Sequence, residues 1–151
     1  MKKQYDVVAL GELLIDFTDN GKSEQGNTLF EANPGGAPCN VLAMLTKLDK
    51  QCAFIGKVGV DIFGNRLEEI LHETGISTKG LVKDKYTRTT LAIVENDASG
   101  ERDFSFYRNP GADVMLTKDE LPLSIVKDAK IFHFGTLSMT HEGVEEATKL
   151  A

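Results

Sequence analysis

The sequence predicts an α/β fold: a mainly parallel sheet with helical crossovers and one inserted β hairpin. Three observations carry this. Short apolar runs at 5–10, 51–56 and 130–135 read as buried strands. Amphipathic stretches at 38–48 and 61–75 follow the first two, which makes the strand, helix, strand unit of a parallel sheet. Segments 87–95 and 102–108 alternate with period two and have no helix between them, the pattern of a hairpin.

Taken in order, "YDVVAL" is apolar and β-branched, and "LLIDF" continues it past Gly11, so the first strand is expected to end near Asp16. After the turn-rich "DNGKSEQGN", "TLFEA" reads as a short exposed strand. "NPGGAP" then sets a proline and two glycines before a helix. In that helix Val41, Met44, Leu45 and Leu48 fall at i, i+3, i+4 and i+7, the stripe of an amphipathic helix. "QCAFIG" is a second buried strand. In "DIFGNRLEEILHETG", Phe63, Leu67, Ile70 and Leu71 share one side, with Asp61 as N-cap and Gly75 as C-cap.

The hairpin is joined through "NDASG", and its alternation predicts one packed and one open face. "KIFHFG" resumes the buried-strand pattern. "THEGVEEATKLA" begins a further helix with Thr140 as N-cap and no stop signal, so the architecture reads as truncated. With no repeat, low-complexity segment or linker, residues 1–151 read as one unit.

The 151 residues are 41% apolar and 26% charged, the composition of a soluble globular domain. A domain of that size buries roughly 68 to 70% of its unfolded surface, enough for a core without staples. No stretch is long and apolar enough to span a membrane. Two lysines precede the first apolar run as in a secretory signal, but Asp6, Glu12 and Asp16 interrupt it and no cleavage site follows. Cys39 and Cys52 lack metal spacing and the numbers for a disulfide framework, which favours a reducing compartment, the cytoplasm. A net charge of -6 without a basic run argues against nucleic acid as the main partner.

Nucleotide fingerprints fail on spacing. Gly56, Gly59 and Gly64 do not form G-x-G-x-x-G, which disfavours a dinucleotide-binding oxidoreductase, and Asn65 follows Gly64 where a P-loop needs lysine. His72, His133 and His141 have no metal spacing, and no G-x-S-x-G occurs.

Asp16 reads either as a solvated turn aspartate or as a ligand carboxylate, since ligands of open parallel sheets sit beyond the carboxyl ends of strands. Gly35 and Gly36 serve either an ordinary tight turn or a close approach to backbone at a helix N-terminus, with Asn40 in the first turn. A carboxylate that accepts, an amide that does both and glycine N–H groups that donate suit hydroxyl groups, and so a polyol better than a phosphate. Phe104, Phe106 and Tyr107 read as strand-forming aromatics.

"GGAPCNVLAMLTKLDKQCAFIGKVGVDIFG", preceded by "GELLIDF" and followed by "TRTTLAIVENDASGERDFSFYRNPGAD", resembles the N-terminal half of the ribokinase-like (PfkB) carbohydrate kinases, fructokinases most of all. The resemblance covers essentially the whole chain. It implies a ribokinase-like parallel α/β sheet with a small β lid, here segments of about 27–33 and 87–109, and transfer of the ATP γ-phosphoryl group to a sugar hydroxyl. Residue by residue, it implies that Asp16, Gly35, Gly36 and Asn40 bind sugar; likeness to related sugar-acid kinases adds Phe106 and Arg108.

The chain departs from the family pattern at Leu42, where a small residue is usual, and at Asp49, where glycine or serine is usual. The family's G-A-G-D segment with its catalytic base, its nucleotide pocket and its N-x-x-E metal motif belong to a C-terminal half not found in this sequence. The resemblance therefore implies ATP and Mg²⁺ for the intact enzyme, no catalytic, nucleotide or metal residue here, and no efficient turnover by this chain. The sugar would be fructose. The alternative is a non-catalytic module that binds sugar or forms a homodimer through its β lid.

Overall fold

The computed structural model describes residues 3–96 and 102–151. In chain order its strands are β1 Tyr5–Leu10, β2 Leu14–Lys22, β3 Thr28–Gly35, β4 Cys52–Gly59, β5 Ser77–Asp84, β6 Leu91–Asn96, β7 Arg102–Tyr107 and β8 Ala129–Phe134. The helices are α1 Ala37–Lys47, α2 Ile62–Glu73, the short α3 Leu123–Lys127 and α4 Glu142–Leu150.

Strands β5, β4, β1 and β8 form an all-parallel sheet in that order, with Val7 opposite both Cys52 and Ile131. Alternation in β1 and β4 feeds two cores. Val7, Ala9, Phe54 and Val58 pack beneath α1 and α2 with Leu42, Leu67 and Leu71. Val8, Leu10, Ala53 and Ile55 face Val114, Leu116 and Val144 on the other side. Burying each such large side chain stabilises by about 1.5–3 kcal/mol.

The ends of α2 are as the sequence predicts. The Asp61 carboxylate accepts the Gly64 N–H at 2.8 Å, and Gly75 takes the left-handed φ of 80° just past the helix. Leu67 and Leu71 are buried, Phe63 packs against them and Ile70 is partly buried.

Elsewhere the structure differs. The apolar run through Gly11 is not one strand but two, β1 and β2, in different sheets. The break is packed: the Gly11 N–H donates to the Ile55 carbonyl, and a side chain at Gly11 would strike Pro38. Periodicity cannot register such a break, because the residues on both sides of it stay buried. Asp16 is therefore the third residue of β2, not the end of the first strand. Strand β2 also runs on through Asp19–Lys22, and β5 forms from a lysine-containing segment without clean alternation.

Of the predicted α1 stripe only Leu45 packs against the core; Met44 is 60% exposed, and Val41 and Leu48 are also exposed. The buried face is instead Pro38, Cys39 and Leu42, small or compact enough to lie close on the sheet. Thr140 does not cap α4; its hydroxyl donates to the Leu137 carbonyl, and the helix begins one residue beyond His141. Strand β8 lies at the sheet edge with Ile131 58% exposed, where a buried strand was expected.

The hairpin is half of a second sheet, ordered β3, β2, β6, β7. Strands β2 and β3 are antiparallel, as are β6 and β7, and the two pairs join through parallel β2 and β6. The segments read as a lid supply β3, β6 and β7; the "NDASG" turn lies mostly within 97–101, outside the described residues.

Candidate polyol site on the second sheet

Strand register places Asn33, Asp16, Ala92 and Phe106 in one row across the second sheet. Directly paired residues share a face, so Asp16 and Phe106, two strands apart, stand about 10 Å from each other on the same side. Gly35 is on that face too. A methyl group at Gly35 would lie 2.3 Å from Asp16 Oδ2 and 2.9 Å from Leu14 Cδ1. The bare Cα of Gly35 is therefore what admits the half-buried Asp16 carboxylate. The opposite face carries Ile15 and Phe17, whose ring meets Phe63 of α2 edge-on at 5.7 Å.

Gly36 is needed twice over. Its φ of 121° is one that L side chains rarely adopt, and a Cβ there would stand 2.3 Å from the Glu12 carbonyl oxygen. Immediately after it α1 begins, and here the sequence reading missed a residue. Glu12, 5% exposed, reaches the helix N-terminus, where its Oε1 accepts the Ala37 N–H at 2.9 Å. Its Oε2 is buried without a hydrogen-bond partner, near Gly135. The signal was an acid inside an apolar run, since a buried carboxylate needs a donor.

This carboxylate decides what the helix end can hold. The Ala37 amide is occupied, Pro38 has none, and the Asn40 N–H donates to the Gly36 carbonyl at 3.0 Å. The Glu12 carboxyl group already occupies the place to which the helix dipole would draw an anion. The double-glycine turn thus suits an uncharged hydroxyl ligand over a phosphate. Asn40 is exposed and borders a hollow of about 60 Å³ beside Pro34 and Gly35. Gly35 consequently links the Asp16 face to the Asn40 side.

Arg108 is engaged within the protein. Its Nη2 and Nε donate to Asp113 Oδ2 and Oδ1 at 2.5 and 3.3 Å, and Thr90 donates to the same Oδ1 at 2.5 Å. Asp113 is buried, so this fork holds the end of β7 against the start of β6. Alongside, Asp61 accepts from the Thr89 amide and hydroxyl, both at 2.8 Å. Burial raises the Asp61 pKa, but the bonds from Thr89 and Gly64 outweigh it and the net shift is downward. The base of the second sheet is therefore fixed at Thr89 and Thr90.

A cleft of about 530 Å³ lies on the other side of this sheet, between Ile15, Ala32 and Pro34 and the α2 residues Ile62, Phe63 and Ile70. Its walls are mainly apolar and it is turned away from Asp16, so its size carries no argument for the chemistry. Among the described residues no group of three or more His, Cys, Asp or Glu gathers to hold a metal ion.

The family model for pfkB family carbohydrate kinases matches residues 4–151. The chain belongs to that family. Fructokinase-2 of Oryza sativa subsp. japonica is 45% identical over 143 residues, and a fructokinase of Solanum tuberosum is 46% identical over 143. Both alignments cover 93% of this chain but 43% and 45% of the relatives. A crystal structure of fructokinase from Xylella fastidiosa superposes with a TM-score of 0.87 at 36% identity, over 95% of this chain and 45% of that one. A sugar kinase from Pyrococcus horikoshii in complex with ATP gives 0.85 at 32% identity, over 94% and 47%. This pfkB chain thus has the ribokinase-like α/β fold and spans less than half the length of the curated relatives it matches. No helix among its described residues is long and apolar enough to cross a membrane.

Proposed function

We propose that this chain is the sugar-binding portion of an ATP-dependent carbohydrate kinase, with D-fructose as the sugar. The observation that carries the reading is the pairing of an accept-only carboxylate, Asp16, with a glycine turn whose helix end is already occupied by Glu12. That combination favours a neutral polyol, and the fructokinase relatives point to a ketohexose.

Asp16 orients the sugar hydroxyls, the Gly35–Gly36 backbone lies against the ring, and Asn40 closes the far side. The second sheet acts as the lid, with Phe106 as an apolar wall 48% exposed before the sugar arrives. Arg108 supports the lid through Asp113 and reaches the sugar only with donors left over from that pair. ATP and Mg²⁺ are met by the remainder of the enzyme, and the setting is the cytoplasm.

The same face supports a second reading, pairing of two copies through the lid. Phe104 and Phe106 stack at 5.9 Å and are both about half exposed on an outer strand. Sedimentation with and without Phe104→Ser tests it, and a monomeric wild-type chain at high concentration would remove it.

The kinase reading is tested on the purified chain by calorimetric titration with D-fructose and by ADP release from ATP and Mg²⁺. Saturable fructose binding without efficient ADP release is expected. Fructose-dependent turnover would show that the chain is more than a binding portion, and absence of sugar binding would overturn the assignment.

A further inference from the structure

Strand β3 carries an asparagine in its interior, where that residue type is disfavoured. Asn33 is paired in register with Asp16, is half-buried, and shares the face that holds Gly35 and Phe106. Its amide is held in one orientation. Nδ2 donates to Thr18 Oγ1 at 3.0 Å and to the Glu31 carbonyl at 3.3 Å. A backbone carbonyl only accepts, so the NH₂ group must lie on that side and the side-chain oxygen on the other. Among the described residues nothing donates to Asn33 Oδ1.

Two acceptors, Asp16 and Asn33, therefore stand on paired positions of neighbouring strands, about 4.5–5.5 Å apart at Cα. Each oxygen type can accept from a hydroxyl, and a ligand with adjacent hydroxyls meets both residues at once.

We infer that Asn33 is a specificity-determining residue of the sugar site, its Oδ1 accepting from the hydroxyl next to the one that Asp16 holds. The inference rests on the sugar-binding reading of Asp16. Thr18 acts through Asn33 as a positioning residue, fixing which end of the amide meets the ligand.

The test is calorimetric titration of the full chain and its variants with D-fructose and with its singly deoxygenated analogues, alongside thermal unfolding. Asn33→Ala is expected to bind D-fructose roughly tenfold more weakly, the loss of one neutral hydrogen bond, with an unchanged melting temperature. Asn33→Thr, which favours a strand but lacks the carbonyl, is expected to lose as much. One deoxy analogue should bind wild type and Asn33→Ala equally, because the hydroxyl that Asn33 reads is already missing. Thr18→Val should cost about threefold, with the same analogue insensitive to it.

Wild-type fructose affinity in both Asn33 variants, or an equal loss for every analogue, overturns the inference. Asp16→Ala separates the two levels. If it abolishes binding while the Asn33 variants do not change it, only the role of Asn33 falls. If wild type binds no sugar, or Asp16→Ala binds as wild type does, the site reading falls with it.

Discussion

Gly35 and Asp16 share one space: a methyl group on Gly35 would stand 2.3 Å from Asp16 Oδ2 and 2.8 Å from its Cγ. The glycine is there first for the carboxylate. Gly35→Ala should push Asp16 out of line, cost about 1–3 kcal/mol by overpacking and weaken fructose binding at least tenfold. In an Asp16→Ala background the same change should cost less, because only Leu14 still objects. Urea unfolding of the four proteins measures this, and equal costs in both backgrounds would deny the coupling.

Asp16→Ala itself should abolish detectable fructose binding while the chain keeps its circular dichroism and cooperative melting. Asp16 lies half-buried in a strand whose packed side is formed by Ile15 and Phe17, so the core does not depend on it.

Glu12→Ala should destabilise the fold by about 1–3 kcal/mol, since it leaves the Ala37 amide without its partner. It should also convert the helix end into a weak anion site. Phosphate-induced shifts of the Ala37 amide resonance, absent in wild type, would report that; identical behaviour of both proteins toward phosphate counts against the charge argument.

Asp113→Ala leaves Arg108 in a mostly buried place without its carboxylate, and should cost about 3–5 kcal/mol. A loss under about 1 kcal/mol would mean that the fork does not hold the base of the second sheet.

Asp61 links stability to pH. Its folded pKa lies below the ordinary 3.8, so its contribution is fully present above that value and fades as pH falls through the folded pKa. Asp61→Asn should unfold more easily than wild type at neutral pH, with the gap narrowing in acid. A gap that is constant from neutral pH down to pH of about 2 would contradict the linkage.

Much of this architecture is legible in the sequence because the signals are local. The Asp61 cap and Gly75 terminus of α2 announce themselves within a few residues, and alternation in β6 and β7 marks a hairpin. The parts that were not legible depend on contacts distant in the chain. The break at Gly11 is set by Pro38 and Ile55, and the outward placing of Val41, Met44 and Leu48 by the close seating of Pro38, Cys39 and Leu42. In the site, motif likeness points to Asp16, Gly35, Gly36 and Asn40. Glu12 and Asn33 emerge only once the helix end and the β2–β3 register are known. Arg108, implied by likeness as a sugar contact, is seen in the structure to be paired with Asp113.

The most direct test of the central claim is a ¹H–¹⁵N resonance titration of the chain with D-fructose, and separately with inorganic phosphate. The account predicts saturable fructose shifts at Asp16, Gly35, Gly36 and Phe106, with phosphate leaving them in place. Shifts caused by phosphate but not fructose, or fructose shifts confined to the Ile62 and Phe63 side of the second sheet, would contradict it.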